Sequence, residues 1–203
     1  MARKYEQKRR AELQQETSRR IAEAALELHS SVGPAKTTIS AIAEKAGVQR
    51  QTFYRHFPDE LSLFRACSSL DLSENPPPDP DLWAPIVDPE ERLRVALAEL
   101  YAYFRRRERI MASVLRDAEG EAEVNANVRE VLKPVAAHWE RMREVLRAGW
   151  EVPDEEASEK LLGATIGVAL DFQTWRTMVR EQCLSDEEAI EVMAGMVRCL
   201  MCT

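Results

Sequence analysis

Residues 37–57, TTISAIAEKAGVQRQTFYRHF, contain two short helical patterns separated by a glycine. Apolar residues three and four positions apart predict a helix over about 39–45, and a second helix follows over about 49–55. Gly47 permits a sharp turn, and the small Ala43 lets the two helices approach each other. Val48 and Phe53 are placed to anchor the second helix at a steep angle. The spacing predicts a helix-turn-helix, around which the rest of the chain can be interpreted.

The exposed side of the second helix carries side chains that suit a DNA groove. Glutamine can pair with adenine edges, arginine with guanine, and threonine with the thymine methyl group. Tyr54 and His56 are placed to donate to phosphate oxygens. Free amides at the start of the helix predicted over 39–45 favour a phosphate there. The alternative is a solvated polar helix face. The predicted DNA-binding residues are Thr37, Thr38, Ser40, Gln49, Arg50, Gln51, Thr52, Tyr54, Arg55 and His56.

The distribution of charge supports a local attraction to phosphate. The whole chain has a formal charge of −7. Residues 1–70 hold 12 Lys and Arg against 8 Asp and Glu, a net +4, whereas residues 71–203 have a net −11. Residues 1–16 are polar and highly charged, and three interpretations stay open: a disordered arm that reaches DNA, a solvated tail, or an extension of the first helix.

Cysteine usage and hydropathy restrict the class of protein. Cys199 and Cys202 have the spacing of a metal or redox pair, but no second pair accompanies them, so a structural interpretation is favoured. We expect no metal, no cofactor and no disulfide framework, which fits a reducing cytosol. No apolar run reaches the ~18 residues of a membrane helix. The sequence therefore predicts a soluble, cytoplasmic chain.

The remaining patterns are helical, and the predicted fold is all-α with about nine helices. The first helix is expected over about 17–32, with Thr17 as N-cap and His29 facing inward, and a fourth helix runs from Pro58 to about residue 70. Four prolines in residues 73–80 mark a boundary between domains 1–70 and 71–203. Further helices are predicted at about 88–104, 108–117, 124–149 with a kink or break at Pro134, 155–181, and 186–201.

The segment ALELHSSVGPAKTTISAIAEKAGVQRQTFYRHF resembles the N-terminal domain of TetR-family transcriptional regulators. The resemblance is specific over about residues 17–66, and the C-terminal part is similar only in helix number and length. The matching residues are Ala25, Leu28, Gly33, Thr38, Ile42, Ala43, Ala46, Gly47, Val48, Tyr54, His56 and Phe57.

The resemblance implies a homodimer that binds a double-stranded DNA operator. It also implies a larger helical domain for ligand binding and dimerisation, in which a small molecule releases the operator and relieves repression. Two departures matter: the family usually has an aromatic residue at His29, and it has a lysine in a segment like F-x-x-K-x-x-L. Here Phe57-Pro-Asp-Glu-Leu61 is two residues shorter and lacks that lysine. The alternative is therefore a ligand-binding or scaffold protein whose helix-turn-helix no longer binds DNA.

Aromatic and methionine side chains in the second half suit an apolar or flat ligand, although for each of them ordinary core is the favoured interpretation. His138 and Asp171 are the polar residues expected to face inward. The candidate pocket residues are Tyr101, Phe104, Met111, His138, Trp139, Met142, Asp171, Phe172 and Trp175.

A stripe of small residues on helix 155–181 and apolar residues on the last helix predict a twofold dimer, the alternative being packing within one chain. No Gly-rich phosphate loop, HExxH, nucleophile elbow or Cys-His constellation is present, so we predict no catalytic residues. The candidate dimer-interface residues are Gly163, Gly167, Thr174, Ile190, Met193, Val197 and Leu200.

Overall fold

The computed structural model describes residues 2–119, 123–151 and 155–201. Within these ranges the chain forms nine α-helices and no strand, which confirms the all-α prediction. Short 3-10 segments cover Pro34–Lys36 and Pro80–Leu82, and a π-helical segment covers Thr177–Glu181. The α-helices are α1 Ala2–Ser31, α2 Ile39–Lys45, α3 Arg50–His56, α4 Glu60–Glu74, α5 Pro89–Ala118, α6 Glu123–Arg147, α7 Glu155–Ala169, α8 Phe172–Arg176 and α9 Asp186–Met201.

The chain divides into two compact units. The first comprises Met1–Pro76 with Arg109–Lys133, and the second comprises Pro77–Glu108 with Pro134–Thr203. Packing therefore does not divide the chain into the two contiguous segments 1–70 and 71–203. Those two segments remain a prediction about functional domains. The physical reason is length: α5 has 30 residues, about 45 Å of helix, and contributes one part to each unit.

A small apolar core holds α1 to α4 together. Ile21 and Ala25 of α1 are fully buried, and they pack in one cluster with Ile42 of α2 and Phe53 of α3. α4 adds Leu63 and Cys67 to the same cluster. Burying each large apolar side chain contributes about 1.5–3 kcal/mol, so this shared core sets the angle at which α3 is presented.

In the first unit, the largest departure from the sequence prediction is the start of α1. The helix begins at Ala2, which corresponds to the helix-extension interpretation of residues 1–16. Thr17 is inside the helix, where its hydroxyl donates to the Leu13 carbonyl over 2.8 Å, so its assignment as N-cap is wrong. The bounds of α2 are those predicted, and α3 begins one residue later than predicted.

In the second half, two helix predictions are corrected and one is narrowed. α5 is continuous over 89–118, where two helices were predicted. Of the kink or break predicted at Pro134, the break is wrong because α6 continues through that residue, and the kink stays a prediction. The single helix predicted over 155–181 is wrong, because α7 ends at Ala169 and the Asp171 side chain caps α8 by accepting from the Thr174 amide over 2.7 Å. α9 begins as predicted, with a reciprocal capping box between Ser185 and Glu188.

Candidate nucleic-acid interface

The start of α2 is fixed by two threonines. The Thr38 side chain accepts a hydrogen bond from the Ala41 amide over 3.2 Å and thereby caps the helix. The Thr37 hydroxyl donates to the Gly33 carbonyl over 2.8 Å. Thr38 and Ser40 are exposed and Thr37 is half-buried, so this helix start is open to an anion while its backbone is held in place.

The turn between α2 and α3 has the structure that the sequence predicted, with a glycine at the bend. Gly47 has φ of +64°, a conformation that other residues adopt only at a cost. The Val48 amide donates to the Ala43 carbonyl over 2.9 Å and closes the turn. On the next helix the Phe53 side chain is 1% exposed and lies 5.9 Å from the Phe57 ring. α3 is therefore anchored by one side, and its other side is available for contact.

That other side of α3 is polar and accessible. Arg50, Gln51, Tyr54 and Arg55 are exposed, as is the residue before the helix, Gln49. Thr52 and His56 are half-buried, and burial together with the neighbouring Arg55 lowers the pKa of His56. All ten residues predicted to contact DNA are thus exposed or half-buried. Their individual contacts remain predictions.

The loop that leads into α2 is held by Asp117, a residue that no sequence pattern indicated. Asp117, in the last turn of α5, is buried, and its Oδ2 accepts from the Ala35 amide over 2.8 Å. Its Oδ1 accepts from the Arg116 Nε over 2.9 Å. Gly33 has φ of +93°, and a Cβ there would lie 2.7 Å from the Asp117 carboxylate. Asp117 therefore positions the backbone just before the N-cap Thr38.

His29 is a core residue, as its inward position in the sequence predicted. It is 4% exposed, and its ring centroid lies 5.2 Å from that of Phe64. Burial lowers the pKa of His29 to about 4, against a smaller opposing effect from the negative charge of Asp117. The imidazole is therefore neutral at physiological pH and fills the place where the resembled family usually has an aromatic side chain.

The shortened junction after α3 is a helix start. The Asp59 side chain accepts from the Ser62 amide over 2.6 Å and caps α4, and Glu60 lies in the first turn. Both acidic residues are exposed. Asp59 consequently has a structural role of its own, although its charge lies close in sequence to the predicted DNA-binding residues.

In the second unit, the aromatic pocket candidates pack around one ring. The Phe104 centroid lies 5.4 Å from Phe172, 5.7 Å from Trp175, 6.0 Å from Trp139 and 6.2 Å from Tyr101. Burial raises the pKa of Tyr101, whose hydroxyl donates to the Ala169 carbonyl over 3.0 Å. The structure therefore brings these five side chains together as one aromatic cluster.

The other pocket candidates have separate positions. Met142 is fully buried in the second unit, whereas Met111 belongs to the first. His138 Nε2 lies 3.0 Å from the Pro78 carbonyl oxygen, and Asp171 is exposed at the α8 cap. Asp171 was expected to face inward, and that expectation is wrong because its carboxylate is used by the helix start.

Charged residues surround the edge of Trp175. Its indole Nε1 donates to Asp186 over 3.0 Å, and Arg105 donates to the same carboxylate through two hydrogen bonds of 2.7 Å. Burial alone would raise the pKa of Asp186, but the hydrogen bonds from Arg105 and Trp175 outweigh it and lower that pKa. Arg180 forms an ion pair with Glu108. Together with the ion pair between Arg105 and Asp186, it links α5 to the segment 172–186.

The candidate dimer residues differ in orientation. Met193 and Val197 are buried within the chain's own core, and the exposed apolar side chains of α9 are Val192 and Met196. A Cβ at Gly163 would lie 3.5 Å from the Arg147 side chain, so that glycine faces a residue of its own chain. Leu161 and Val168 of α7 are also exposed. An open groove between α7 and α9 is lined by Thr165, Glu191, Val192, Gly195, Met196, Cys199 and Leu200.

Thr174, Ile190 and Gly167 are half-buried, which leaves part of each available to a partner. Cys199 is exposed, but Cys202 lies outside the described residues, so the Cys199–Cys202 pair stays untested. Within the described residues no group of three His, Cys, Asp or Glu side chains is arranged to hold a metal ion. In the same part of the chain, no helix combines the length and apolar character needed to cross a membrane.

Residues 21–67 match the model of a family described as bacterial regulatory proteins, tetR family. The matched range contains the buried α1 face, the whole helix-turn-helix and most of α4. The match to the TetR family is confined to this segment. Its helix-turn-helix is the DNA-binding element of that family of transcriptional regulators. A comparison of the whole sequence with curated proteins gives no match.

Solved structures with the same fold extend the TetR comparison to most of the chain. A TetR-family transcriptional regulator from Streptomyces coelicolor has a TM-score of 0.60 at 19% identity, covering 93% of this chain and 81% of that one. The fatty acid degradation regulator FadR from Bacillus halodurans gives 0.60 at 17%, covering 89% and 93%. NalD, the secondary repressor of the MexAB-OprM multidrug efflux pump in Pseudomonas aeruginosa, gives 0.60 at 18%, covering 93% and 96%. At these identities the similarity shows the fold.

Proposed function

We propose that this protein is a homodimeric repressor that binds double-stranded operator DNA and is released from it by a small apolar or aromatic ligand. The observation that carries the proposal is that α3 has one buried apolar side and one exposed polar side. Phe53 is buried in the core while Arg50, Gln51, Tyr54 and Arg55 are exposed on a helix held at the second position of a helix-turn-helix. Such a helix can enter the major groove and pair with base edges.

The aromatic cluster of the second unit supports a ligand-responsive role. Four aromatic side chains converge on Phe104, and polar groups border the cluster at Tyr101 and Trp175. A largely apolar site with a few oriented polar groups is the usual composition of a small-molecule pocket. A flat or apolar ligand is the class that such a site would take.

The exposed apolar side chains of α7 and α9 support a homodimer. Leu161, Val168, Val192 and Met196 are each between 44% and 54% exposed, on two helices that pack against each other. Exposed apolar patches of this kind mark protein contacts, and twofold pairing is the commonest arrangement for identical chains. The active form would then present two copies of α3 to DNA, in the cytoplasm.

The alternative is a ligand-binding or scaffold protein that has lost DNA binding, and a specific observation favours it. The junction between Phe57 and Leu61 has no lysine, and it exposes Asp59 and Glu60 near the predicted DNA surface. Both carboxylates would repel phosphate at low salt.

Selection from a pool of random duplexes by the purified full-length chain distinguishes the two proposals. A repressor dimer should enrich one sequence with twofold symmetry, and the chain should then protect that sequence in footprinting. The matched control is Phe53→Asp, which disrupts the core that holds α3. Failure of the wild-type chain to enrich any sequence across a wide concentration range at low salt would favour the scaffold alternative.

A further inference from the structure

The described side chains in the first four turns of α1 do not pack against any hydrophobic core. Residues 5–16 are exposed at every position, and Ile21 is the first fully buried residue of the helix. Tyr5 and Leu13 are 69% and 61% exposed. A polar helix that packs on nothing gains little from folding alone, because short helices in water are marginal. Residues 5–16 are called the α1 extension below.

The base of the α1 extension is fixed beside the helix-turn-helix turn. The Arg20 guanidinium donates to the Ala46 carbonyl over 2.9 Å. Lys45 forms an ion pair with Glu27, which lies closer to the C-terminal end of α1. Ala46 is the last residue before Gly47, and α3 starts at Arg50. The extension therefore leaves the domain at the end where the first residues of α3 lie, and those are the residues that meet base edges when such a helix enters the major groove.

The charge of the extension suits phosphate. The first ten residues of the sequence include five Lys and Arg and one Glu. Lys8 is paired with Glu12 at 3.8 Å, whereas Arg9 and Arg10 are exposed and form no ion pair with any described residue. Two free guanidinium groups on a helix that approaches the DNA end of the domain are complementary to a phosphate backbone.

We propose that the α1 extension is a second DNA-contacting element, which binds the phosphate backbone flanking each half-site through Arg9 and Arg10. This inference rests on the proposed DNA-binding function. Arg10 and Arg9 lie 10 and 11 residues before Arg20, respectively, which is about 15–17 Å along the helix axis. At about 3.4 Å per base pair, this length spans at most roughly four or five base pairs measured from Arg20.

Contacts of this kind are made to phosphate and carry no sequence information. The extension would therefore strengthen binding to every duplex similarly and lengthen the protected region, while sequence preference would stay with α3. Each phosphate neutralised by a side chain also adds about 0.9 to the slope of log affinity against log salt concentration.

The test compares full-length variants on the duplex that the wild-type chain selects from a random pool. Fluorescence anisotropy between about 50 and 200 mM salt gives the affinity and its salt slope. For Arg9→Gln with Arg10→Gln we expect the salt slope to fall by up to about 2, since two contacts are removed. Footprinting should show a shorter protected region with the same central sequence. Glutamine is a good helix former, so the variant keeps the helix.

Two matched variants complete the design. Gln14→Ala with Gln15→Ala changes the same helix without changing charge, and it should leave the slope and the footprint as in wild type. Glu12→Gln removes an acidic side chain and frees Lys8, so it should raise the slope and tighten binding. A wild-type slope and footprint for the Arg9 and Arg10 double variant overturn the inference. If the wild-type chain itself selects no duplex, it is the proposed function that fails.

Discussion

The buried carboxylate of Asp117 accepts a hydrogen bond of 2.8 Å from the backbone amide of Ala35, across 82 positions of sequence. The bond fixes the loop between α1 and α2 against the last turn of α5. Because Thr37 and Thr38 follow within three residues, the position of the α2 start depends on a residue far along the chain.

Asp117→Ala should destabilise the first unit by about 1–3 kcal/mol, because the Ala35 amide loses a charged acceptor in a partly buried site. Asp117→Asn keeps an oxygen acceptor and should recover part of that loss. Urea denaturation gives the free energy, and hydrogen exchange at the Ala35 amide should accelerate in the alanine variant. Glu119→Ala, at an exposed position two residues on, is the control; equal stability of Asp117→Ala and Glu119→Ala would contradict the role of Asp117.

Gly33 and Gly47 offer a matched comparison of strain and space. Both have positive φ, but a Cβ at Gly33 would meet the Arg116 guanidinium and also the Asp117 carboxylate at 2.7 Å, whereas a Cβ at Gly47 would meet nothing within 4 Å. Gly47→Ala should cost about 1–2 kcal/mol from backbone conformation alone. Gly33→Ala should cost more, because the substituent also displaces the carboxylate that holds Ala35. Thermal and urea unfolding measure the difference, and a larger loss for Gly47→Ala would refute this explanation.

The stability of the first unit should depend on pH through His29. Its pKa in the fold is about 4, below the ordinary 6.5, so between those values the unfolded chain binds a proton that the folded chain does not. Stability is therefore highest above pH 6.5 and decreases as pH falls toward 4, by about 3 kcal/mol. His29→Gln should remove this contribution while Asp117 and Arg116, the charged groups near the loop, remain. Parallel pH profiles for wild type and variant would show that His29 is not the titrating group.

Arg50 and Tyr54 should affect DNA binding in different ways. Arg50→Ala removes a side chain placed to pair with a base edge, so sequence preference should relax at one position by about 1–3 kcal/mol. Tyr54→Phe removes a hydroxyl placed to donate to phosphate and should weaken binding to all duplexes similarly. Competition among single-base variants of the selected duplex separates the two effects. Arg106→Ala, exposed on α5, serves as the control, and unchanged selectivity in Arg50→Ala would remove it from the base-contacting set.

Val192 and Met196 should decide the oligomeric state. Their replacement by glutamate places two charges on the exposed apolar side of α9, which a partner helix could cover only at a high desolvation cost. The variant should sediment as a monomer and lose affinity for the twofold duplex. Val87→Glu, at a residue that is 90% exposed outside the helices, adds charge at another surface and should leave the dimer intact. A dimeric Val192 and Met196 variant would place the interface elsewhere.

Local patterns were sufficient for the parts of this protein that local physics decides. The spacing of Ile42, Gly47 and Phe53 predicted the helix-turn-helix, because Ile42 and Phe53 fall on the buried faces of two short helices joined by a glycine turn. The α9 start was equally predictable, since a capping box is satisfied within four residues. The inward position of His29 followed from helical spacing.

Other features depended on contacts between distant residues, and only the tertiary structure decided them. The continuity of α5 over 30 residues, the cap at Asp171 and the hydrogen bond from Ala35 to Asp117 have no signature in their own neighbourhoods. The dimer candidates show the same limit: periodicity identified the apolar residues of α9, but only packing showed that Met193 and Val197 face inward and Val192 and Met196 outward. The sequence by itself determined that the fold is all-helical and which side of α3 is free, because those are properties of neighbouring residues. The tertiary structure decided what holds that helix in place, since a buried carboxylate is defined by what surrounds it.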